Sequence, residues 1–282
     1  MAFDLIVADI DGTLLNDEKE LSEVTIETIR RVRCDFGVDV LLASSRMPCA
    51  IRPLQKQLGC LNTIVALDGA LVLDGDATLV DQCLSCETSS GIVHLALAAG
   101  AHVGIFREDE WVVNRIDYWA RREIRGNKVW PTVGSPLRHL ESWAGAGLAA
   151  HKIMIRGEKD ELDPVRDALY ERYGTDVRLS CGRPTAIELV SVAAGKWAGV
   201  DCVLSRLGIA AHRVLAFGDS DNDLDLLRSV GHSVVPTNAS DAALDVAREV
   251  TLSNTENGVA VALRKYFPET ASVAAEKFAG SF

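Results

Sequence analysis

Short, continuously apolar segments alternate with helical patterns at both ends of this chain, and this alternation restricts the fold more than any other feature. Near the amino end the order is LIVA, VTIETIRRVR, VDVLLA, AIRPLQKQLG and TIVA. Near the carboxyl end it is GKWAGVDCVLSRLG, RVLAF, LDLLRSVG, HSVV, DAALDVARE, VTLS and GVAVALRKYF. Strands that are apolar on both faces belong to parallel sheets covered by helices on both sides. The two ends therefore predict one α/β sheet.

Residues 84–188 depart from this pattern. Two pairs of strand-like segments, AHVGIF with EWVVN and DVRLS with AIELV, indicate antiparallel pairing. Helical patterns occur in SSGIVHLALAAG, DYWARREIR and DELDPVRDALYERYG. We therefore expect residues 1–83 and 189–282 to form a discontinuous α/β core, with a Rossmann-like, doubly wound parallel sheet. Residues 84–188 are predicted to be an inserted α+β domain, which we call the cap.

Two aspartates stand at the end of the first apolar strand. Asp9 and Asp11 follow Leu5–Ala8 and continue into Gly12 and Thr13, which gives the pattern D-x-D-G-T. Burial of an unpaired carboxylate is costly, so carboxylates at this place predict a bound cation or several hydrogen bonds. In an open parallel sheet the ligand site lies beyond the carboxyl ends of the strands, where both acids fall.

A second acidic cluster, GDSDND at 218–223, follows the apolar segment VLAF. An EF-hand loop also alternates acids, but it needs Gly and Glu where this chain has Leu224 and Val230. A helix cap explains one of these three acids and not the others. Ser44 and Asp68 follow apolar strands in the same way. Two acidic clusters at the ends of parallel strands predict a single magnesium site.

Two further residues stand where a phosphoryl group can be held. Ser44 ends the strand in LLASSR, and Lys196 begins an amphipathic helix in AGKWAG. Taken alone, serines and lysines at such places are more often structural. In the order Asp9/Asp11, Ser44, Lys196, Asp219/Asp223, however, the chain resembles the haloacid-dehalogenase (HAD) superfamily. With DIDGTLL, GDSDND, the tail from NAS to NTENGVA and the long insertion, it is similar to the Cof-type, type IIB branch of that superfamily.

This resemblance implies a magnesium-dependent phosphatase that hydrolyses small phosphomonoesters, such as sugar phosphates, through an aspartyl-phosphate intermediate. By resemblance, Asp9 is the nucleophile, and Asp11 is first the general acid and then the general base. The implied magnesium ligands are Asp9, Asp11, Asp219 and Asp223. The implied phosphate-binding residues are Gly12, Ser44, Ser45, Arg46, Lys196 and Asn222.

Two loops depart from the pattern of that branch. Ser44-Ser45-Arg46 stands where relatives commonly have T-G-R, and a hydroxyl group remains there. Asp68-Gly69-Ala70 stands where many relatives have N-G-A. We expect an added negative charge at Asp68 to weaken phosphate binding or to change the preferred substrate.

The cap is expected to select the substrate. Its basic stretch WARREIRGNKVW, at 119–130, either contacts a second anionic group of the substrate or is a solvated helix face. The second interpretation is favoured, because Arg121 and Arg125 stand at i and i+4 as on an exposed surface. Arg183, which precedes the return to the core, is a further candidate for the cleft. The six histidines show no metal-binding spacing and are expected to be structural.

Composition limits the partners and the compartment. A net charge of −11 and a pI near 5.0 argue against nucleic acid and membrane surfaces as partners. Seven scattered cysteines fit reduced thiols, and the pair in CLSC has no second zinc-ligand pair. With no signal-peptide pattern and no apolar run of ~18 residues, we expect a cytoplasmic monomer or homodimer that binds a small phosphorylated metabolite.

Other functions stay open at this point. A phosphotransferase or phosphomutase uses the same scaffold but passes the phosphoryl group to an acceptor other than water. A non-catalytic phospholigand-binding protein keeps the fold but usually loses a nucleophile or a metal ligand, and none is missing here. An oxidoreductase on a dinucleotide fold is disfavoured, because no G-x-G-x-x-G follows the first strand.

Overall fold

Two separate β-sheets make up this structure, a computed structural model that describes residues 3–181 and 184–268. The strands, in chain order, are β1 (Leu5–Ala8), β2 (Asp39–Ala43), β3 (Thr63–Ala66), β4 (Leu71–Asp74), β5 (Ala77–Asp81), β6 (His102–Arg107), β7 (Glu110–Val113), β8 (Thr132–Val133), β9 (Lys152–Arg156), β10 (Val177–Ser180), β11 (Ala186–Ser191), β12 (Val214–Phe217), β13 (His232–Pro236) and β14 (Glu249–Thr251). The helices are α1 (Glu23–Phe36), α2 (Pro48–Leu58), α3 (Cys86–Ala98), α4 (Tyr118–Asn127), α5 (Pro136–Gly145), α6 (Lys159–Tyr173), α7 (Lys196–Leu207), α8 (Leu224–Ser229), α9 (Asp241–Val246) and α10 (Gly258–Tyr266).

The larger sheet has eight strands in the order β14–β13–β12–β1–β2–β3–β4–β5. The six strands from β14 to β3 are parallel, and the edge strands β4 and β5 are antiparallel. The predicted parallel α/β sheet is therefore confirmed, with an antiparallel edge that the sequence did not indicate. The predicted strand TIVA is followed by a tight turn at Leu67–Gly69 and by β4, which pairs antiparallel with it.

Helices cover both faces of this sheet because its strands are apolar on both sides. Along β1, Ile6 and Ala8 pack into one cluster with α1 and α10, while Leu5 and Val7 pack into another with α7. This alternation is the period of two expected of a strand. The helices cover the two faces of the sheet and leave the carboxyl ends of the central strands open for polar residues.

The smaller sheet has six strands in the order β10–β11–β9–β6–β7–β8. Its neighbouring strands are antiparallel apart from β7 and β8, so both predicted antiparallel pairs are confirmed. The sequence patterns missed β9 and α5. Residues 84–188 remain our proposed cap, although β11 continues past that boundary to Ser191.

Each face of the smaller sheet has a different neighbour. Val103, Ile105, Ile153 and Ile155 pack with the cap helices in one apolar cluster. Phe106 and Met154, on the opposite face, belong to the same cluster as Met47 of the core. This second face therefore forms a roof over the carboxyl ends of the core strands.

Candidate active site

The predicted site residues converge because the strands that precede them are neighbours. Asp9, Ser44 and Asp219 follow β1, β2 and β12, and Asp68 lies in the turn after β3. These four strands are adjacent in the order β12–β1–β2–β3. Their parallel direction brings the four polar side chains to one edge of the sheet, as the sequence predicts.

A buried ammonium group lies at the centre of this edge. Nζ of Lys196, at the first turn of α7, donates hydrogen bonds to Oδ1 of Asp9 at 2.5 Å and to Oδ1 of Asp223 at 2.7 Å. All three residues are buried, and the Lys196 side chain has no exposed surface. Lys196 therefore holds the acids after β1 and β12 together.

Asp219 and Asp223 differ in how their oxygens are used. Asp223 accepts bonds from Lys196 and, through Oδ2, from the backbone N–H groups of Asp219 and Ser220 at 3.0 and 3.1 Å. Asp219 accepts only the hydroxyl of Thr13, at 3.1 Å, among the side-chain donors of the described residues. Asp223 thus orients the loop, while Asp219 keeps oxygen lone pairs available.

The charge balance of this cluster fits a divalent cation. Asp9, Asp219 and Asp223 each offer a carboxylate oxygen, and these atoms lie within 4.8 Å of one another. Burial raises the pKa of Asp9 well above its usual range, and the charges of Asp223 and Asp219 raise it further against the opposing effect of Lys196. Burial and Asp223 also raise the pKa of Asp219 to about 6. Three carboxylates against one ammonium group leave a deficit of positive charge, and carboxylate oxygens are the ligands that Mg²⁺ prefers.

Gly12 lets the backbone approach one of these acids closely. Its φ of +82° lies in the left-handed region, and a Cβ atom there would come within 2.3 Å of Oδ2 of Asp219. Both the backbone conformation and the space require glycine at this place. Gly12 was predicted to bind phosphate; in the structure it lies against Asp219, and its carbonyl accepts the side-chain amide of Asn238.

Asp11 is engaged by two cations. Arg46 donates to Oδ2 at 2.6 Å and to Oδ1 at 2.9 Å, and Lys19 donates to Oδ1 at 2.8 Å. Burial alone would raise the pKa of Asp11, but the bonds and charges of Arg46 and Lys19 hold it well below its usual range. Sequence reasoning placed Arg46 on phosphate and did not single out Lys19. The structure places both on the second aspartate of the motif.

The loops after β2 and β12 carry the other predicted phosphate-binding residues. Ser44 is buried, and its hydroxyl oxygen accepts the N–H of Arg46 at 3.2 Å. Asn222 accepts the hydroxyl of Ser220 at 2.7 Å and donates to Oδ1 of Asp68 at 2.8 Å. Asp221 is exposed and accepts the hydroxyl of Ser240, away from the buried cluster.

Asp68 is not an uncompensated charge. It is buried in the turn after β3, and Nζ of Lys152 donates to its Oδ2 at 2.9 Å. Burial opposes ionisation, but the charges of Lys152 and Lys196 still hold the pKa of Asp68 below its ordinary value. Sequence reasoning expected an added negative charge here and did not identify Lys152 as its partner. That residue opens KIMIR, in which three apolar residues stand between two basic ones, and this short apolar run was the available signal.

A cavity of about 430 Å³ lies between the carboxyl ends of the core strands and the roof. Its core wall includes Asp11, Ser45, Arg46, Asp219 and Asn222. Its cap wall is lined by Phe106, Arg122, Glu123, Asn127, Lys152, Met154, Arg156 and Glu188, among others. Half of the ten predicted site residues thus border a space large enough for a small metabolite.

The basic stretch of the cap is only partly directed at this cavity. Arg121 and Arg125 are exposed, as the solvated-face interpretation expects. Arg122, which the sequence did not single out, lines the cavity. Arg183 lies outside the described residues.

Comparison with known proteins gives the family. Residues 6–263 match the haloacid dehalogenase-like hydrolase family, which is most of the chain. The chain belongs to this family. It is 27% identical over 270 residues to a 5-amino-6-(5-phospho-D-ribitylamino)uracil phosphatase of Bacillus subtilis, covering 93% of this chain and 97% of that protein.

Solved structures agree with this assignment. A haloacid dehalogenase-like hydrolase from Bacteroides thetaiotaomicron superposes with a TM-score of 0.82 at 26% identity, over 94% of this chain and 100% of that chain. A HAD subclass IIB sugar phosphatase has a TM-score of 0.80 at 18% identity, over 93% of this chain and 98% of that chain. The second likeness concerns the fold alone.

One cluster of this HAD-like hydrolase lies outside the motifs. Asp81, Cys83 and His151 bring potential metal-ligand atoms within 4.8 Å of one another where β5 leads into the cap. Nδ1 of His151 accepts the backbone N–H of Glu108 at 3.2 Å, so the ring proton lies on Nε2, which donates to Asp81 at 2.8 Å. A metal on Nε2 would place the proton on Nδ1, against the N–H of Glu108. The cluster is therefore a hydrogen-bonded junction, in agreement with a structural role for this histidine.

Two expectations concern the chain beyond this site: its relation to membranes and the state of its cysteines. In the described parts of the chain, none of the helices combines the length and the apolar character needed to cross a membrane. All seven cysteines are free thiols, as expected.

Proposed function

We propose that this chain is a magnesium-dependent phosphatase that hydrolyses small phosphomonoesters, sugar phosphates among them, through an aspartyl-phosphate intermediate on Asp9. The observation that carries this proposal is the arrangement of Asp9, Lys196, Asp219 and Asp223, of which Asp219 lines the cavity. A buried carboxylate that bonds to a lysine through one oxygen keeps its second oxygen for attack on phosphorus.

In the first step, Asp9 attacks phosphorus and the bond to the leaving alcohol breaks. Asp11 is assigned to protonate the leaving oxygen, from its place two positions further along the same loop. This role requires the bonds from Arg46 and Lys19 to open when substrate binds, because a carboxylate held by two cations has no proton to give. A phosphoryl group near Arg46 competes with Asp11 for its guanidinium.

In the second step, water attacks the phosphoryl group on Asp9 while Asp11 accepts its proton, and inorganic phosphate leaves. Lys196 stays paired with Asp9 and Asp223 and offsets charge that develops on the phosphoryl oxygens. Asp9, Asp219 and the Asp11 backbone would hold Mg²⁺, with Asp223 supporting them. A magnesium ion bound there supplies positive charge to the phosphoryl oxygens.

The substrate proposal rests on the cavity and on the relatives. A space of about 430 Å³ lined from both domains suits a small phosphorylated metabolite. A relative of this chain is named for a phosphoribityl ester, and a structure with the same fold is a sugar phosphatase. Phosphoribityl esters and sugar phosphates are both phosphate esters of polyhydroxylated groups, which supports the same class of substrate for this chain.

The test is release of inorganic phosphate from a panel of sugar phosphates, nucleotides and an aryl phosphate, with magnesium and with chelator. Asp9→Asn is expected to abolish release and keep the fold. Asp221→Asn is a matched control, because Asp221 is an exposed acid of the neighbouring loop that bonds to Ser240. Magnesium-dependent release that survives in Asp9→Asn would refute the nucleophile.

Product analysis separates the alternatives. A phosphotransferase or phosphomutase would convert substrate into a new phosphate ester in the presence of an acceptor, without inorganic phosphate. A phospholigand-binding protein would bind panel members and release nothing.

A further inference from the structure

Lys152 connects the roof to the catalytic edge of the core. Its side chain extends from β9 and is 4% exposed. Nζ donates to Oδ2 of Asp68 at 2.9 Å, to the carbonyl of Ser45 at 3.1 Å and to Glu188 at 2.5 Å. Two of these acceptors belong to the core and one to the cap. The three acceptors match the three N–H donors of an ammonium group.

The core partner of Lys152 is itself tied to the second acidic loop. Oδ1 of Asp68 accepts the amide of Asn222 at 2.8 Å, and the Asp68 N–H donates to the carbonyl of Ser44 at 3.1 Å. Through Asp68, one cap lysine is thus joined to the loops after β2, β3 and β12. Ser45 and Asn222 of these loops line the cavity.

The two ends of this connection depend on Lys152 to different degrees. Glu188 has a second cation, Arg156, at 3.5 Å, and Arg156 is also paired with Glu123 at 2.7 Å. For Asp68, Lys152 is the one Lys, Arg or His partner within 4 Å among residues 3–181 and 184–268. Loss of Lys152 therefore leaves the buried Asp68 carboxylate without an ion-pair partner next to the phosphate-binding loops, with the amide of Asn222 and the charge of Lys196 as its remaining support.

We propose that Lys152 and Asp68 are positioning residues that hold the cap closed on the core and fix the loops of Ser45 and Asn222 for phosphoryl transfer. This inference rests on the proposed phosphatase function. It also assigns a role to the aspartate that departs from the N-G-A pattern, since its charge is the core half of an interdomain ion pair.

The kinetic test uses two single variants and their combination. Lys152→Met is expected to lower kcat/KM by about 100-fold, because a displacement of about 1 Å in a site has an effect of that size. Asp68→Asn, which keeps the shape and removes the charge, is expected to lower it by about 10-fold. The double variant should be at least as active as Lys152→Met, because Asp68→Asn removes the charge that the first substitution left unpaired.

A matched control separates this effect from the loss of any cap lysine. Lys159 of α6 pairs with Asp163 at 2.5 Å on an exposed surface. Lys159→Met should keep the kcat/KM of the unsubstituted protein. Multiplicative effects of Lys152→Met and Asp68→Asn, or an unchanged kcat/KM in Lys152→Met, would overturn the proposal.

A second measurement does not depend on turnover. Cys34 of α1 and Cys86 of α3 are exposed thiols on the core and the cap. Spin labels at these two positions report the distance between the domains, in a background without Cys49, Cys60, Cys83, Cys181 and Cys202. We expect Lys152→Met to add longer distances that Lys159→Met does not add.

The two readouts distinguish two kinds of failure. If the unsubstituted protein releases no phosphate from any compound, the proposed function fails, and the label distances alone decide the role of Lys152. If the distance distribution is the same in Lys152→Met as in the unsubstituted protein, the ion pair does not hold the cap closed and the inference is wrong.

Discussion

Nζ of Lys196 lies 2.5 Å from Oδ1 of Asp9 and 2.7 Å from Oδ1 of Asp223, so one buried ammonium group bonds to acids that are 187 and 27 residues away in the chain. Burial alone would lower the pKa of Lys196, but the charges of Asp223 and Asp9 raise it far above its usual range. Lys196 therefore stays charged, and it is needed by the fold as well as by the proposed chemistry.

Lys196→Met should destabilise the protein and remove its activity. Two buried carboxylates lose their shared cation, and removal of one partner from a buried pair costs about 3–5 kcal/mol. Urea unfolding measures the free energy of unfolding, and phosphate release measures activity. Lys265→Met is the control, since Lys265 is an exposed partner of Glu249 at 2.7 Å and such pairs contribute little. Equal stability of the two variants would contradict this account of Lys196.

Gly12→Ala should raise the magnesium concentration needed for half-maximal activity by about tenfold, because the new methyl group displaces the Asp219 carboxylate. Gly37→Ala is a matched control. Gly37 has a φ of +67°, but a Cβ atom added there would meet nothing within 4 Å among the described residues beyond its chain neighbours. Both variants should lose about 1 kcal/mol of stability from backbone strain. A magnesium titration that is unchanged in Gly12→Ala would argue against Asp219 as a ligand.

Stability should fall as the pH drops below about 6.5, the ordinary pKa of histidine. Burial lowers the pKa of His151 despite the opposing charge of Asp81, so between its folded pKa and 6.5 the unfolded chain binds a proton that the folded protein does not. The contribution of His151 is thus complete above pH 6.5 and decreases as pH falls towards its folded pKa. Urea unfolding from pH 7.5 to 5 should show a shallower dependence in His151→Asn. The exposed His94 provides the control, since His94→Asn should retain the dependence of the unsubstituted protein.

Alkylation at pH 7.5 should distinguish the cysteines. Cys34 and Cys86 are exposed, whereas burial raises the pKa of Cys60 and of Cys83 to about 12. The thiolate is the reactive form, so in the folded protein the first pair should be labelled quickly and the second pair much more slowly. Mass spectrometry of the labelled peptides measures this order. Labelling of Cys60 in the folded protein as fast as that of Cys34 would contradict the structure.

The core was predictable because its strands carry a local signal. Leu5–Ala8 and Val214–Phe217 are apolar without interruption, and the acids that follow them must then lie at the sheet edge. The convergence of Asp9 and Asp219 therefore follows from parallel pairing, without knowledge of any side-chain contact.

The cap and the ion pairs were less accessible to sequence reasoning. Lys152 lies in β9, which the sequence patterns missed, and it is buried where the roof packs on the core. The partners of Asp11 were missed for a similar reason. Arg46 stands in a motif associated with phosphate, while Lys19 has a left-handed φ of +62° in a loop without a motif. Such contacts depend on the tertiary arrangement of loops and not on the preferences of their own residues.

The position of β1 in the larger sheet has a consequence for synthesis of the chain. One edge of β1 pairs with β2, but the other pairs with Val214–Phe217, which the ribosome makes only after every strand of the smaller sheet. A strand edge without a partner invites association with other chains. We therefore expect the nascent chain to depend most on chaperones during the time before β12 is made. The strand that precedes Asp9 is thus translated well before the partner that completes it.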